Sequence, residues 1–163
     1  ERVTEASAVH SDQDPLMKTL GYVLLNWSML ERAVIDDIKR LRLSDGDSGM
    51  TTARARGSFN ERLAEWRALV SLKSRRNPEA AREVAEIGNL AEQLCRTRNL
   101  ISHHFAGVER TADGTSVIYA SESGIASLRA SQTAFSLEQL DGLNAQMCIV
   151  CERIAGLKSI LAS

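Results

Sequence analysis

Four stretches of the chain carry apolar residues at the three- and four-residue spacing that places them on one side of an α-helix. A helix with one apolar side must bury it, and four such helices bury one another most simply as a four-helix bundle. At 163 residues the chain is long enough for one domain with a substantial core. Trp27 and Trp66 lie on these apolar sides and are expected in the core rather than as platforms for nucleic-acid bases. The sequence therefore predicts an all-α fold, organised as a four-helix bundle.

Each predicted helix is preceded by residues that favour a helix start. Aspartate, asparagine or serine accepts hydrogen bonds from the first backbone N–H groups, and glutamate or glutamine three residues later completes a capping box. Proline fits the first helical position. The start signals are Asp14-Pro15, Ser58 with Glu61, Asn77 with Pro78, and Ser136 with Gln139. Residues 1–13 are polar and are predicted to be a flexible segment, with residues 14–163 forming a single domain.

The segment between the third and fourth helices has a different character. Two short runs of residues that favour β-strands flank Ala112-Asp113-Gly114, which is a turn signal. A small β-hairpin is therefore predicted at about 105–120. Residues 120–135 are compatible with either a further loop or a weak strand.

Charge is balanced over the whole chain but uneven along it. The net charge is −1, whereas the stretch from Arg54 to Arg82 holds eight arginine or lysine residues against three glutamates. Such a stretch either attracts phosphate or forms a solvated helix face. Arg54 and Arg56, in a loop that contains glycine, are the first candidates for phosphate contact, followed by Arg75 and Arg76.

The cysteines Cys95, Cys148 and Cys151 have spacings that suggest no disulfide framework, and we expect buried thiols in a reducing cytoplasm. Cys148 and Cys151 form a C-x-x-C pair, but a zinc site needs further ligands, and only Cys95, His103 and His104 are candidates. We therefore expect no metal and no cofactor. No apolar run reaches the length of a membrane span and no secretory signal is seen, so the expected location is cytoplasmic.

Two charged residues fall among apolar residues. Glu31 on the first helix and Arg98 on the third each lie within roughly 60° of several apolar neighbours. Because either charge is costly to bury alone, we predict that Glu31 and Arg98 form an ion pair. That pair either fixes the helix register or belongs to a functional site. The neighbours are Leu20, Leu24, Trp27, Val34, Ile35 and Ile38 around Glu31, and Val84, Ile87, Ala91, Leu94, Cys95 and Ile101 around Arg98.

His103 lies about 140° around the helix from Arg98, so the two side chains converge only at a frayed helix end, at the rim of the core or with a second chain. Histidines in a last helical turn, such as His103 and His104, also have a simpler role, because their positive charge compensates the helix dipole. Asn99 and Ser102 lie on the flank between Arg98 and His103. A two-fold dimer that joins two such segments would build a compact site.

These residues resemble the motif of HEPN domains, which is an arginine, four to six residues and a histidine at the end of an inner helix of a bundle. The matching segment is Arg98-Asn99-Leu100-Ile101-Ser102-His103, and His104 fits the longer spacing. The first-helix sequence GYVLLNWSMLE, which ends in Glu31, is also similar to that family. The resemblance covers about Asp14 to Ala162. The predicted hairpin departs from the plainest form of that fold and is either a family insertion or an interface element.

The resemblance implies a metal-independent endoribonuclease of a defence or toxin–antitoxin system, which acts on RNA as a homodimer with the motif in a cleft at the interface. The ribose 2′-hydroxyl attacks the phosphate in such a reaction, giving a 2′,3′-cyclic phosphate and a 5′-hydroxyl. An antitoxin or a nucleotidyltransferase-like protein is the implied partner, and no membrane is implied. The alternatives are a non-catalytic HEPN-like binding or dimerisation module, and a helical bundle whose dimer surface is purely structural.

Within that implied activity each motif residue has a chemical role. His103 supplies an acid or base near neutral pH, and Arg98 stabilises the charged phosphorane with a bidentate fork. Asn99 orients the phosphate or the imidazole, and Glu31 holds Arg98 in place. The residues expected to help bind the RNA are Ser102, His104, Arg96, Arg54 and Arg56.

Overall fold

The computed structural model describes residues 4–44, 57–122 and 131–162. These ranges contain four helices, α1 (Thr4–Ser44), α2 (Phe59–Lys73), α3 (Pro78–His103) and α4 (Leu137–Ala162). Between α3 and α4 they also contain three strands, β1 (Phe105–Arg110), β2 (Ser116–Glu122) and β3 (Ser131–Phe135). The prediction of a mainly helical fold with a small β-element before the last helix is confirmed.

The predicted caps of α2, α3 and α4 are confirmed. In both capping boxes the backbone N–H of the cap serine donates to the side chain three residues later, over 2.6 Å from Ser58 to Glu61 and 2.8 Å from Ser136 to Gln139. The side chain of Asn77 accepts a backbone hydrogen bond of 3.0 Å at the start of α3. Local hydrogen bonding therefore sets where these three helices begin.

The predicted start of α1 is wrong. The helix was expected to begin at Asp14-Pro15, but it already begins at Thr4, and Pro15 lies inside it. An internal proline removes one helical hydrogen bond and crowds the preceding turn, which usually ends or kinks a helix. Here the helix continues on both sides of Pro15, so the local start signal is overridden. The flexible segment at 1–13 and the single domain at 14–163 stay predictions.

The described chain divides into two compact units. Unit 1 comprises Glu1–Leu25 and Arg96–Ala145, and unit 2 comprises Asn26–Cys95 and Gln146–Ser163. None of the helices in the described ranges combines the length and apolarity needed to cross a membrane.

Unit 2 consists of segments from α1, α2, α3 and α4 that share an apolar core. Hydrogen bonds between side chains connect its successive helices. These contacts are Trp66 Nε1 to Asp37 over 2.9 Å, Arg67 to Glu92 over 2.5 Å, and Arg153 to Glu83 over 2.6 Å. The core includes Trp27, Leu30, Val34, Leu63, Trp66, Val70, Ile87, Leu94, Met147, Val150, Ile154 and Leu157.

Both tryptophans lie in this core, as predicted. Trp27 is 1% exposed and Trp66 is fully buried. The Trp27 ring packs edge-on against Phe59, with ring centroids 4.6 Å apart. Aromatic pairs in this geometry contribute about 0.5–1.5 kcal/mol beyond the area they bury. The large rings therefore anchor α1 to α2.

A close approach between α2 and α3 depends on a glycine. The guanidinium of Arg67 lies so near the backbone at Gly88 that a Cβ atom there would overlap it. In this position Arg67 donates to Glu92 over 2.5 Å and to Asn89 over 3.1 Å. The absence of a side chain at Gly88 therefore permits the hydrogen bonds that connect the two helices.

In unit 1 the described strands form an antiparallel sheet in the order β1-β2-β3. Val108 pairs with Ile118 across the first two strands, and Ile118 pairs with Phe135 across the next two. The predicted hairpin is confirmed, and Gly114 occupies the left-handed position of its turn with φ +86°. Of the two alternatives at 120–135, the structure contains a strand at Ser131–Phe135.

One carboxylate in the hairpin turn, that of Asp113, accepts several hydrogen bonds in its charged form. Hydrogen bonds from the Thr111 side chain and from the backbone and side chain of Thr115 lower the pKa of Asp113 to about 2. The pKa of Asp113 in the folded protein lies below its ordinary value, so the charged carboxylate stabilises the fold. This stabilisation is fully present at pH values above the ordinary pKa and is lost as the pH falls towards 2.

We expect an NMR titration of the Asp113 carboxyl to give a midpoint near pH 2, with the amide signals of the turn shifting over the same range. In Thr111→Val the midpoint should move up, because the largest contribution to the shift is removed. An Asp113 midpoint that is the same in both proteins would contradict this assignment.

Candidate active site

The predicted motif lies at the carboxyl end of α3, and its residues 96–104 all belong to unit 1. The helix ends at His103, and the backbone N–H of His104 still donates to the carbonyl of Leu100 over 3.0 Å. The last helical turn is therefore regular where the two histidines begin. The direction of each motif side chain therefore follows from the position of its residue along a regular α-helix.

Arg98 lies at the centre of the buried side of α3, as predicted. Its side chain is half-buried, with the Nε atom completely enclosed. The Nη1 group donates a hydrogen bond of 2.9 Å to the Asn99 side chain. The guanidinium is thus held against its own helix, and the carbonyl oxygen of the Asn99 amide is turned towards it. The predicted neighbours are all buried: Val84, Ile87, Ala91, Leu94, Cys95 and Ile101.

The polar residues at the end of the motif are exposed. They are Ser102, His103 and His104, and Arg96, about two turns before His103, is exposed as well. The angular offset of His103 from Arg98 that the sequence predicted is therefore confirmed. The structure pairs Arg98 with Asn99 and leaves the imidazole of His103 open to a ligand from outside.

Glu31 does not lie in the middle of the buried side of α1, and this expectation is wrong. The buried residues of α1 centre about 75° away from it, and its own side chain is half-buried. The offset arises because three residues counted as part of the buried side are not buried: Leu24 is 44% exposed, and Leu20 and Ile35 are half-buried. The buried residues are Leu16, Thr19, Val23, Trp27, Leu30, Val34, Asp37, Ile38 and Leu41.

Three other site predictions remain open. Glu31 belongs to unit 2 and Arg98 to unit 1, so the ion pair between them stays a prediction. Arg54 and Arg56 lie outside the described residues. Arg75 and Arg76, the next candidates for phosphate contact, are both exposed at the end of α2.

The cysteines differ in environment. Cys95 is 5% exposed, as predicted, but Cys148 is exposed and Cys151 half-buried. Cys148 lies outside the core because it is one position beyond the buried Met147, about 100° around α4. Burial and the nearby Cys148 raise the pKa of the Cys151 thiol. Among the described residues, no three His, Cys, Asp or Glu side chains are grouped closely enough to hold a metal ion.

One polar residue in the core of unit 2 was missed by the sequence analysis. Asp37 is 1% exposed, and its two carboxylate oxygens accept hydrogen bonds from Trp66 Nε1 over 2.9 Å and from Arg40 Nε over 2.8 Å. Its position could have been found, because it lies three residues after Val34 and four before Leu41 on the buried side of α1.

The chemistry available at the end of α3 is that of a guanidinium, an amide and an imidazole. A guanidinium binds phosphate oxygens through paired N–H groups, and an imidazole transfers protons near neutral pH. An amide such as that of Asn99 donates and accepts hydrogen bonds and so can orient either partner. These groups suit the chemistry of a phosphodiester.

No family model matches the chain, and no curated protein or solved structure matches it either. The similarity to HEPN domains therefore rests on the residues of α1 and α3 themselves.

Proposed function

We propose that the protein is a HEPN-like, metal-independent endoribonuclease of a defence or toxin–antitoxin type. The observation that carries this proposal is the arrangement at the end of α3, where Arg98 and Asn99 are hydrogen-bonded and His103 is exposed five positions after the arginine. The reaction is attack of the ribose 2′-hydroxyl on the adjacent phosphate. It leaves a 2′,3′-cyclic phosphate on one product and a 5′-hydroxyl on the other.

In the proposed reaction His103 takes the proton from the 2′-hydroxyl or gives one to the leaving 5′-oxygen. Such acid–base catalysis typically contributes about 10²–10⁴-fold to a rate. Arg98 stabilises the negative charge that develops on the phosphorane, and Asn99 fixes the direction of the guanidinium. Glu31 remains the proposed counter-ion of Arg98.

The proposed active form is a homodimer, with one His103 beside the Arg98 of the other copy. Unit 1, which contains the motif, exposes several large apolar side chains, and contiguous apolar surfaces are typical of association. The exposed residues are Met17, Tyr22, Leu24, Leu25, Phe105 and Leu137, of which Phe105 lies two positions after His103. We further propose a cytoplasmic protein that is restrained by an antitoxin or a nucleotidyltransferase-like partner.

The test is incubation of the purified protein with end-labelled RNA in excess EDTA. We expect cleavage without metal ion, and products whose 3′ ends resist phosphatase until mild acid opens the cyclic phosphate. Products with 3′-hydroxyl and 5′-phosphate ends would contradict the proposed chemistry, because a 2′-hydroxyl nucleophile cannot produce them.

The second candidate is a non-catalytic HEPN-like module that binds RNA or a protein. The half-burial of Arg98, with Nε enclosed, favours it, because fewer guanidinium N–H groups are then available to a phosphate. RNA binding without cleavage, by a protein that forms a stable dimer, would support this module over the enzyme.

A further inference from the structure

A cavity in unit 2 is lined mainly by sulfur-containing residues. It has a volume of about 200 Å³ and lies between α1 and α4. Four of its six described lining residues carry a thiol or a thioether. The lining residues are Asn26, Met29, Met147, Cys148, Cys151 and Glu152.

The two thiols are close enough to share a ligand. Cys148 and Cys151 are three positions apart on the continuous helix α4, so they are neighbours on its surface. Their Cβ atoms are then about 5–6 Å apart, whereas a disulfide requires about 3.5–4.5 Å. A direct S–S bond would therefore need the helix backbone to move, but one atom placed between the two sulfurs fits the helical spacing.

The residues that line the cavity indicate which kind of metal ion would fit between the two sulfurs. Thiolates and thioethers select soft cations such as Cu(I). Zinc in structural sites takes four thiolate, imidazole or carboxylate ligands, and no three such side chains are grouped in the described part of the chain. Two thiols with a neighbouring thioether therefore suit Cu(I) better than zinc.

We propose that Cys148, Cys151 and Met29 form a binding site for one Cu(I) ion. The two thiols release their protons to solvent on binding, and the copper remains Cu(I), so no oxidant or reductant is consumed. Met147 is fully buried and closes the inner side of the cavity.

The site is accessible from the surface. Cys148 and Met29 are exposed, with Met29 56% accessible. A second, wider cavity also includes Met29 and Cys151 in its lining, together with Arg32 and Asp36. A cation delivered by a small chelator can therefore reach the sulfur atoms while unit 2 stays folded.

The experiment is an anaerobic titration of the reduced full chain with acetonitrile-complexed Cu(I), in competition with a chromogenic Cu(I) chelator. We expect one Cu(I) per chain. Cys148→Ser and Cys151→Ser should each lose that equivalent, and Met29→Leu should retain it with weaker affinity. The matched control is Cys95→Ala, which removes the third thiol of the chain and should bind like the unmodified protein.

A second measurement needs no variant. Bound Cu(I) should protect Cys148 and Cys151 from alkylation by iodoacetamide, as read by mass spectrometry of peptides. Failure to hold Cu(I) against the chelator would overturn the proposal, as would retention of the equivalent in the double variant Cys148→Ser/Cys151→Ser. Displacement of the bound Cu(I) by Zn²⁺ would overturn the assignment of a soft metal.

Discussion

Replacing Asp37 by alanine is expected to lower the free energy of unfolding by about 1–3 kcal/mol, because the buried Nε1–H of Trp66 loses its acceptor. Trp66 Nε1 and Arg40 Nε both donate to this carboxylate, at 2.9 and 2.8 Å. For a chain of this size the melting temperature should fall by about 2–4 °C for each kcal/mol. Thermal unfolding followed by circular dichroism measures the change.

The neighbouring Asp36 provides a matched control. Its carboxylate contacts Arg32 over 2.9 Å and Lys39 over 3.8 Å, and all three side chains are about half exposed or more. Exposed pairs of this kind contribute about 0–1 kcal/mol, so Asp36→Ala should unfold close to the temperature of the unmodified protein. Equal melting temperatures for the two variants would show that the buried contacts of Asp37 contribute little.

Replacing His103 by alanine is expected to reduce metal-independent RNA cleavage by about 10²–10⁴-fold, as the loss of a general acid or base does. The side chain is exposed in the last turn of α3, so the melting temperature should change little. Single-turnover cleavage of a labelled RNA, at saturating protein, gives the rate. His104→Ala should reduce that rate much less, and the reverse order would assign the acid–base role to His104.

Arg98→Lys tests the guanidinium separately from the fold. Lysine keeps the positive charge but lacks the planar fork, and removal of one such electrostatic contact costs about 10²–10³-fold in rate. Arg82→Lys, at an exposed position of the same helix, is the control. Full cleavage by a folded Arg98→Lys protein would restrict Arg98 to a structural role.

Much of the fold follows from local sequence. The starts of α2, α3 and α4 are set by Ser58, Asn77 and Ser136, whose side chains act within one helical turn. The turn at Asp113-Gly114 is similarly local. On α3 the apolar period alone placed Arg98 among buried residues, because nearly every apolar side chain on that face is in fact buried.

The sequence was a poorer guide to α1, for a physical reason. This helix carries apolar residues on its outer side as well as its inner side, among them Tyr22, Leu25 and Met29, each about half exposed. Periodicity does not distinguish buried from exposed apolar residues, so the exposed Leu24 was counted on the buried side and Glu31 was placed too deep. Asp37 was missed although its spacing from Val34 and Leu41 places it on the buried side of α1.

The strand β3 and the sulfur-lined cavity depend on contacts between distant parts of the chain. Thr133 and Ala134 form a strand because they pair with β2, and the sequence around them has only a weak preference. Met29 and Cys151 are brought to one cavity by the packing of α1 against α4 within unit 2. Neither arrangement can be predicted from residues that are close together in the sequence.

The contact of Arg67 with Gly88 constrains how this chain can evolve. Any side chain at position 88 displaces the guanidinium, and a shorter residue at position 67 loses the hydrogen bonds to Glu92 and Asn89. Substitutions tolerated at one position therefore depend on the residue present at the other. Among descendants of the same ancestor, these two positions should covary, so that a larger residue on α3 is accompanied by a smaller one on α2.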